Sequence, residues 1–145
     1  MDTKKVIAAA LTSTSLMDLF SEAVSKVKGS NYNEAQILGE LLNRITPLNK
    51  KQAQAAGWAG HYAVGVGFAA VYAAYLKETR RKPMLLNGVI YGALSGLEGA
   101  AIWRATFKAH PNPPGVDLKN YYRQLVLAHV VFGVAAAATL RKMGK

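Results

Sequence analysis

Twenty consecutive residues without a formal charge, Gly57 to Leu76 (GWAGHYAVGVGFAAVYAAYL), constrain this chain more than any other feature. That is the length a helix needs to cross the hydrocarbon core of a bilayer, so the stretch predicts a transmembrane helix over 57–76. Its one polar side chain besides the tyrosines is His61. A histidine facing lipid is costly, and the ring is expected to turn towards other helices or a polar cavity. The pattern returns near the other end of the chain. His61-x-x-x-Gly65-Val66-x-x-Ala69-Ala70 is matched by His129-x-x-x-Gly133-Val134-x-x-Ala137-Ala138, which predicts a two-plus-two pseudo-repeat.

The length of 145 residues fits one domain. A hydrophobic fraction of 51% and a mean hydropathy of +0.08 describe an ordinary chain on average, but the apolar residues fall in four blocks separated by charged or proline-rich segments. Cysteine is absent, which excludes disulfides and thiolate metal sites. The net charge of +10 sits at the ends of the apolar blocks, where Lys and Arg meet anionic lipid headgroups. No nucleic-acid motif accompanies it, so no nucleic-acid partner is expected.

The first block, 6–27, follows Lys4 and Lys5 and begins as a signal peptide does, yet its apolar character runs on through Leu19, Phe20 and Val24 with no breaker before Gly29. An uncleaved helix is expected. Ser15, Asp18, Glu22 and Ser25 recur along it at spacings of three and four, which places them on one face, predicted to point inward. The alternative for this block is an amphipathic helix of a soluble bundle. In the first loop Ile37, Leu38, Leu41, Leu42 and Ile45 mark one face of a short amphipathic helix over 34–45. Glu34, Glu40, Asn43 and Arg44 lie off that face, and Asn33 with Gln36 forms a cap. Such a helix is expected to lie on the membrane surface or to lid the bundle.

The third apolar block, 84–106, carries Gly88, Gly92, Gly96 and Ala100 at every fourth position. Small residues so spaced form a groove for a closely packed helix, from this chain or from a second copy in a homo-oligomer. Trp58 and Trp103 stand near helix ends, as interfacial aromatics do. The loop 109–115 with its three prolines breaks the helix, and His110 within it is expected to be a solvated loop residue. The last block spans 121–140. The expected fold is all-α, an integral membrane four-helix bundle with the 34–45 helix in its first loop. Lys4 and Lys5, the turn Lys77 to Lys82, and Arg141 with Lys142 fall on one side of four spans, which places both termini in the cytoplasm.

Counted at ~1.5 Å per residue from the basic end of each block, Glu22 lies ~25 Å deep, Glu98 and His61 ~24 Å, Asp18 ~20 Å and His129 ~18 Å. Asp18, Glu22, His61, Glu98 and His129 are thus expected to form one buried polar layer, with Glu22 paired to Glu98 and His61 to His129 by the pseudo-repeat. Glu22, His61, Glu98 and His129 have the donor types of a divalent-metal site in a helical bundle, although no Glu-x-x-His pair lies on one helix. The same residues suit a site that binds or transports a small ligand or cation, or the acid and base of an intramembrane enzyme. They also suit a purely structural network in an assembly protein. A haem held by His61 and His129 is the remaining cofactor consistent with the pattern. No motif names a substrate.

His61 with Gly65 and Tyr72, the basic turn, the Gly88/Gly92/Gly96 helix, Pro113-Pro114-Gly115, and His129 with Gly133 together resemble the YagU-like group of small, mostly uncharacterised bacterial inner-membrane proteins. The resemblance covers about residues 57–142. It implies an integral membrane protein of the bacterial inner membrane and supplies no catalytic residues.

Overall fold

The computed structural model describes residues 2–144, which form five α-helices and no strand. Four of the five helices, all but α4, begin where an N-cap side chain can satisfy one of their first free N–H groups. In α1 (Thr3–Lys28) the Asp2 carboxylate accepts from the backbone N of Lys4, and Gly29 closes the helix at φ +65°. Asn33 caps α2 (Glu34–Ile45), its side chain accepting from the N of Gln36 at 3.0 Å. Asn49 and Gln52 form a reciprocal capping box that starts α3 (Lys50–Glu78). That start lies upstream of the charge-free stretch, so the basic pair Lys50-Lys51 belongs to the helix rather than to the loop. Then follow α4 (Leu85–Ala109), stopped by Pro111, and α5 (Leu118–Met143), capped by Asp117.

Three of these helices, α3, α4 and α5, are long and apolar enough to cross a membrane. α1 is not among them, since its second half carries Asp18, Glu22 and Lys26. Packing joins α2 to α3, α3 to α1, α1 to α5 and α5 to α4. In their most apolar windows α5 is 56% buried, against 28% for α3 and for α4. α5 is therefore central, and the outer faces of α3 and α4 are uncovered.

In two pairs of helices the glycine four residues after a histidine lies against the partner helix. A Cβ on Gly65 of α3 would collide with the Thr14 hydroxyl of α1, and a Cβ on Gly133 of α5 would collide with the Gly88 carbonyl of α4. The pairs are joined through α1 and α5, without matching backbone packing of α3 on α4. Near the basic turn the tyrosines close that gap: Tyr72 and Tyr91 rings lie 4.8 Å apart, Tyr91 donates to the Phe68 carbonyl at 2.7 Å, and Tyr72 donates to Asn87. The Gly88/Gly92/Gly96 row is filled by α5 of the same chain, with Gly92 against the His129 carbonyl and Gly96 against Val126.

α2 does not lie free on a surface. It runs antiparallel to the first half of α3, so close that a Cβ on Gly57 would sit 2.5 Å from the Ala35 carbonyl. His110, expected in solvent, is half-buried: Nε2 donates to the Leu41 carbonyl at 2.9 Å while Nδ1 accepts from the N of Asn112. It ties the α4–α5 loop to α2, and Arg44 does the same through Asn112.

Candidate functional site

Three helices bring Asp18, Glu34 and His61 together, with one ligand-type atom of each within 4.8 Å of the others. His61 Nε2 donates to Asp18 Oδ1 at 2.8 Å between α3 and α1. Glu34, in the first turn of α2, accepts from the Ser21 hydroxyl at 3.1 Å, and Ser21 Oγ accepts in turn from Gln124 of α5 at 2.7 Å. All four helices around the cluster therefore contribute a polar group. Asp18 is 6% exposed and Glu34 1% exposed, yet Asp18 Oδ2, Glu34 Oε2 and the carbonyl-type oxygen of Gln124 are buried with no partner. Buried polar atoms are nearly always satisfied; the other unpartnered ones among the described residues are the hydroxyls of Thr14, Tyr121 and Tyr122, so the cluster holds all of the unpartnered carboxyl oxygens. Burial raises the Glu34 pKa from an ordinary 4.5 to about 7, against the opposing pull of His61, of the α2 backbone and of Ser21.

A cavity of about 180 Å³ lies beside the cluster and receives residues from all five helices. Its walls are largely apolar: Met17, Val64, Phe68, Ile102, Trp103 and Phe132. Its polar end is where Glu34 and His61 of the cluster line it, and Thr14, Thr106 and His129 are its other polar lining residues. His129 Nδ1 donates to the Leu125 carbonyl at 2.9 Å, which leaves Nε2 as the acceptor beside Gly99. The cavity occupies the end of the α3–α4 gap that the tyrosines do not close. Val64 and Ile102, on either side of it, are each 55% exposed.

Of the five residues expected in one layer, Asp18 and His61 meet, and His129 shares their cavity. Glu22 and Glu98 do not converge with them. The inward face of α1 is Ala9, Ser13, Thr14, Met17 and Ser21, with Asp18 at its edge. Glu22 and Ser15 consequently turn outward, Glu22 to Lys26 at 3.8 Å and Ser15 to the Tyr62 hydroxyl at 2.8 Å. Glu98 is exposed, because α4 commits its glycine row to α5 and Glu98 lies off that row. Glu34 takes the place in the site that the sequence pattern gives to Glu22 and Glu98. The apolar pattern of α2 sets Glu34 off the packed face, but the helix's first turn is inserted between α1 and α3. The capped start Asn33-Glu34 marked the helix end, with no local sign of what it would meet.

No protein family, curated protein or solved structure matches the chain.

Proposed function

We propose that the protein is a small multi-pass membrane protein that binds or moves a small, largely apolar ligand in the cavity between α3 and α4. The observation that carries this function is an apolar cavity with one polar end, where buried carboxyl oxygens lack partners. Ligand sites have this composition, apolar walls with a few convergent polar groups. The cavity is lined by one carboxyl group, Glu34, and two imidazoles, with Asp18 bonded to His61 and no Lys or Arg in its walls. That charge balance favours a head group that donates hydrogen bonds, an alcohol or an amine, over a fatty acid. Entry from the bilayer is supported by Val64 and Ile102, cavity-lining apolar side chains that are each 55% exposed.

The membrane assignment extends to four spans, with α1 as the fourth. Ile7, Leu11, Leu16 and Leu19 of α1 are 44% to 65% exposed, the pattern of a lipid-facing surface. Together with the YagU-like resemblance this favours the bacterial inner membrane, and the basic ends favour cytoplasmic termini. The Asp18–His61 pair favours a second function at the same place, acid–base catalysis on the bound ligand, since a carboxylate beside an imidazole orients it as a general base.

A long-chain alcohol bearing a diazirine tests the binding function. Irradiation in membranes should label Val64, Ile102 or Trp103, and Val64→Trp at the mouth should reduce that label. Labelling spread evenly over Leu94 and Leu97 on the outer face of α4, and indifferent to Val64→Trp, would show that the probe reports only lipid contact.

A further inference from the structure

Asp18, Glu34 and His61 present the protein with an unresolved electrostatic problem. Each carboxyl group spends one oxygen on a protein partner, Asp18 Oδ1 on His61 and Glu34 Oε1 on Ser21. Each keeps its second oxygen, Asp18 Oδ2 and Glu34 Oε2, buried with none. The two side chains are more than nine-tenths buried, and they belong to different helices. No Lys or Arg hydrogen-bonds or ion-pairs with either group among the described residues. Two close carboxylates in a low-dielectric interior are accommodated either by protonating one of them or by placing a positive charge between them, and only the second also gives both free oxygens a partner.

We propose, on the reading of this polar end as a binding site, that Asp18, Glu34 and His61 hold one divalent transition-metal ion of the Zn²⁺ or Mn²⁺ class. One imidazole and two carboxylates suit ions of this kind, and a dication balances both carboxylates while the imidazole stays neutral. Ligand bonds of about 2.0–2.2 Å in a tetrahedral site set neighbouring ligand atoms roughly 3.4 Å apart. The three donors already lie within 4.8 Å of one another. The His61–Asp18 contact of 2.8 Å has to open by about 0.6 Å, the imidazole proton has to move from Nε2 to Nδ1, and Glu34 has to close, which side-chain rotation and a change of tautomer can supply. Three protein ligands leave a fourth position, and because Glu34 and His61 line the cavity, a hydroxyl or amine bound there would be within reach to complete the coordination. Ser21 and Gln124 act as positioning residues, because Gln124 fixes the hydroxyl that holds Glu34.

Full-length protein in detergent, stripped with a chelator and re-dialysed, is titrated with Zn²⁺ and separately with Co²⁺. One Zn²⁺ per chain and visible Co²⁺ absorption of a low-symmetry site are expected. Asp18→Asn and Glu34→Gln should each weaken Zn²⁺ binding by on the order of 100-fold, and Ser21→Ala by roughly tenfold. Glu22→Gln and Glu98→Gln, outside the cluster, should leave it unchanged. Wild-type protein that takes up no stoichiometric Zn²⁺ or Co²⁺ overturns the proposal, and that outcome needs no variant to fold. Equal binding by wild type and Glu34→Gln overturns it as well. Diazirine labelling that persists in protein unable to bind Zn²⁺ defeats the metal site alone. Zn²⁺ binding without cavity labelling defeats the ligand function alone.

Discussion

His61 and Asp18 meet between α3 and α1 with 12% and 8% of their side chains exposed, and they are the only His–carboxylate contact among the described residues. Removing the imidazole leaves a buried carboxylate without its one partner. His61→Ala is expected to destabilise the metal-free protein by about 3–5 kcal/mol, the usual consequence of breaking a buried pair. Asp18→Asn/His61→Ala should cost less than the two single changes together, by roughly 0.5–3 kcal/mol of coupling. Thermal unfolding in detergent, followed by circular dichroism, measures both; strict additivity would mean that the contact contributes nothing.

Glu34 gives the metal-free protein a pH dependence of definite sign. Its folded pKa of about 7 exceeds the ordinary 4.5, chiefly because burial disfavours the carboxylate. Folding therefore takes up a proton in the window between these values. The stability linked to that proton is fully present below about pH 4.5 and is lost as pH rises through about 7, a change on the order of 3 kcal/mol. In chelator-treated protein the melting temperature should fall from pH 5 to pH 8, and Glu34→Gln should flatten that slope. A wild-type slope of the opposite sign would contradict the burial of Glu34.

The glycines of the spanning helices are not equivalent. A Cβ at Gly92 would run into the His129 carbonyl backbone of α5, whereas one at Gly67 would meet nothing within 4 Å. Gly92→Ala should destabilise by about 1–3 kcal/mol through overpacking. Gly67→Ala should be neutral or stabilising by up to about 1 kcal/mol, since alanine is the better helix former. Equal effects at the two positions, measured by resistance to unfolding in mixed detergent, would contradict the α4–α5 contact.

The helical content was legible because it is local. Long uncharged runs, the Asn33 cap and the proline breaks each act within a few residues, and the small-residue row of α4 announces a close helix neighbour without naming it. The site was legible only in part. Depth along a helix can be counted from its basic end, and by that count His61 and Asp18 belong together. Rotation about the helix axis cannot be counted, and about 40° separates Asp18 from Glu22 on a helix of 3.6 residues per turn. That difference decides whether a carboxylate faces the bundle or Lys26. Glu34 was hidden for another reason: its role depends on α2 folding back along α3 through the Gly39–Gly57 contact, a tertiary event. The Asn49-x-x-Gln52 pair was the one overlooked local sign, and it would have started α3 at Lys50 and shown α3 long enough to offer α2 that contact.

Orientation gives the last prediction. The basic turn with Arg80 and the helix ends at Lys4, Lys5, Arg141 and Lys142 share one end of the bundle, whereas α2 and the Pro-rich loop with Asn112 share the other. Basic residues in short segments stay cytoplasmic, so Arg80 should face the cytoplasm and Asn112 the outside. The opposite end also carries Lys50, Lys51, Lys108 and Lys119. The chain has no native cysteine, which makes single substitutions clean reporters. With a membrane-impermeant maleimide on intact cells, Asn112→Cys should react and Arg80→Cys should react only after permeabilisation. Reaction of Arg80→Cys alone in intact cells would invert the topology, and reaction of both would show that the two ends share a compartment and that α4, the one helix between them, does not cross the membrane.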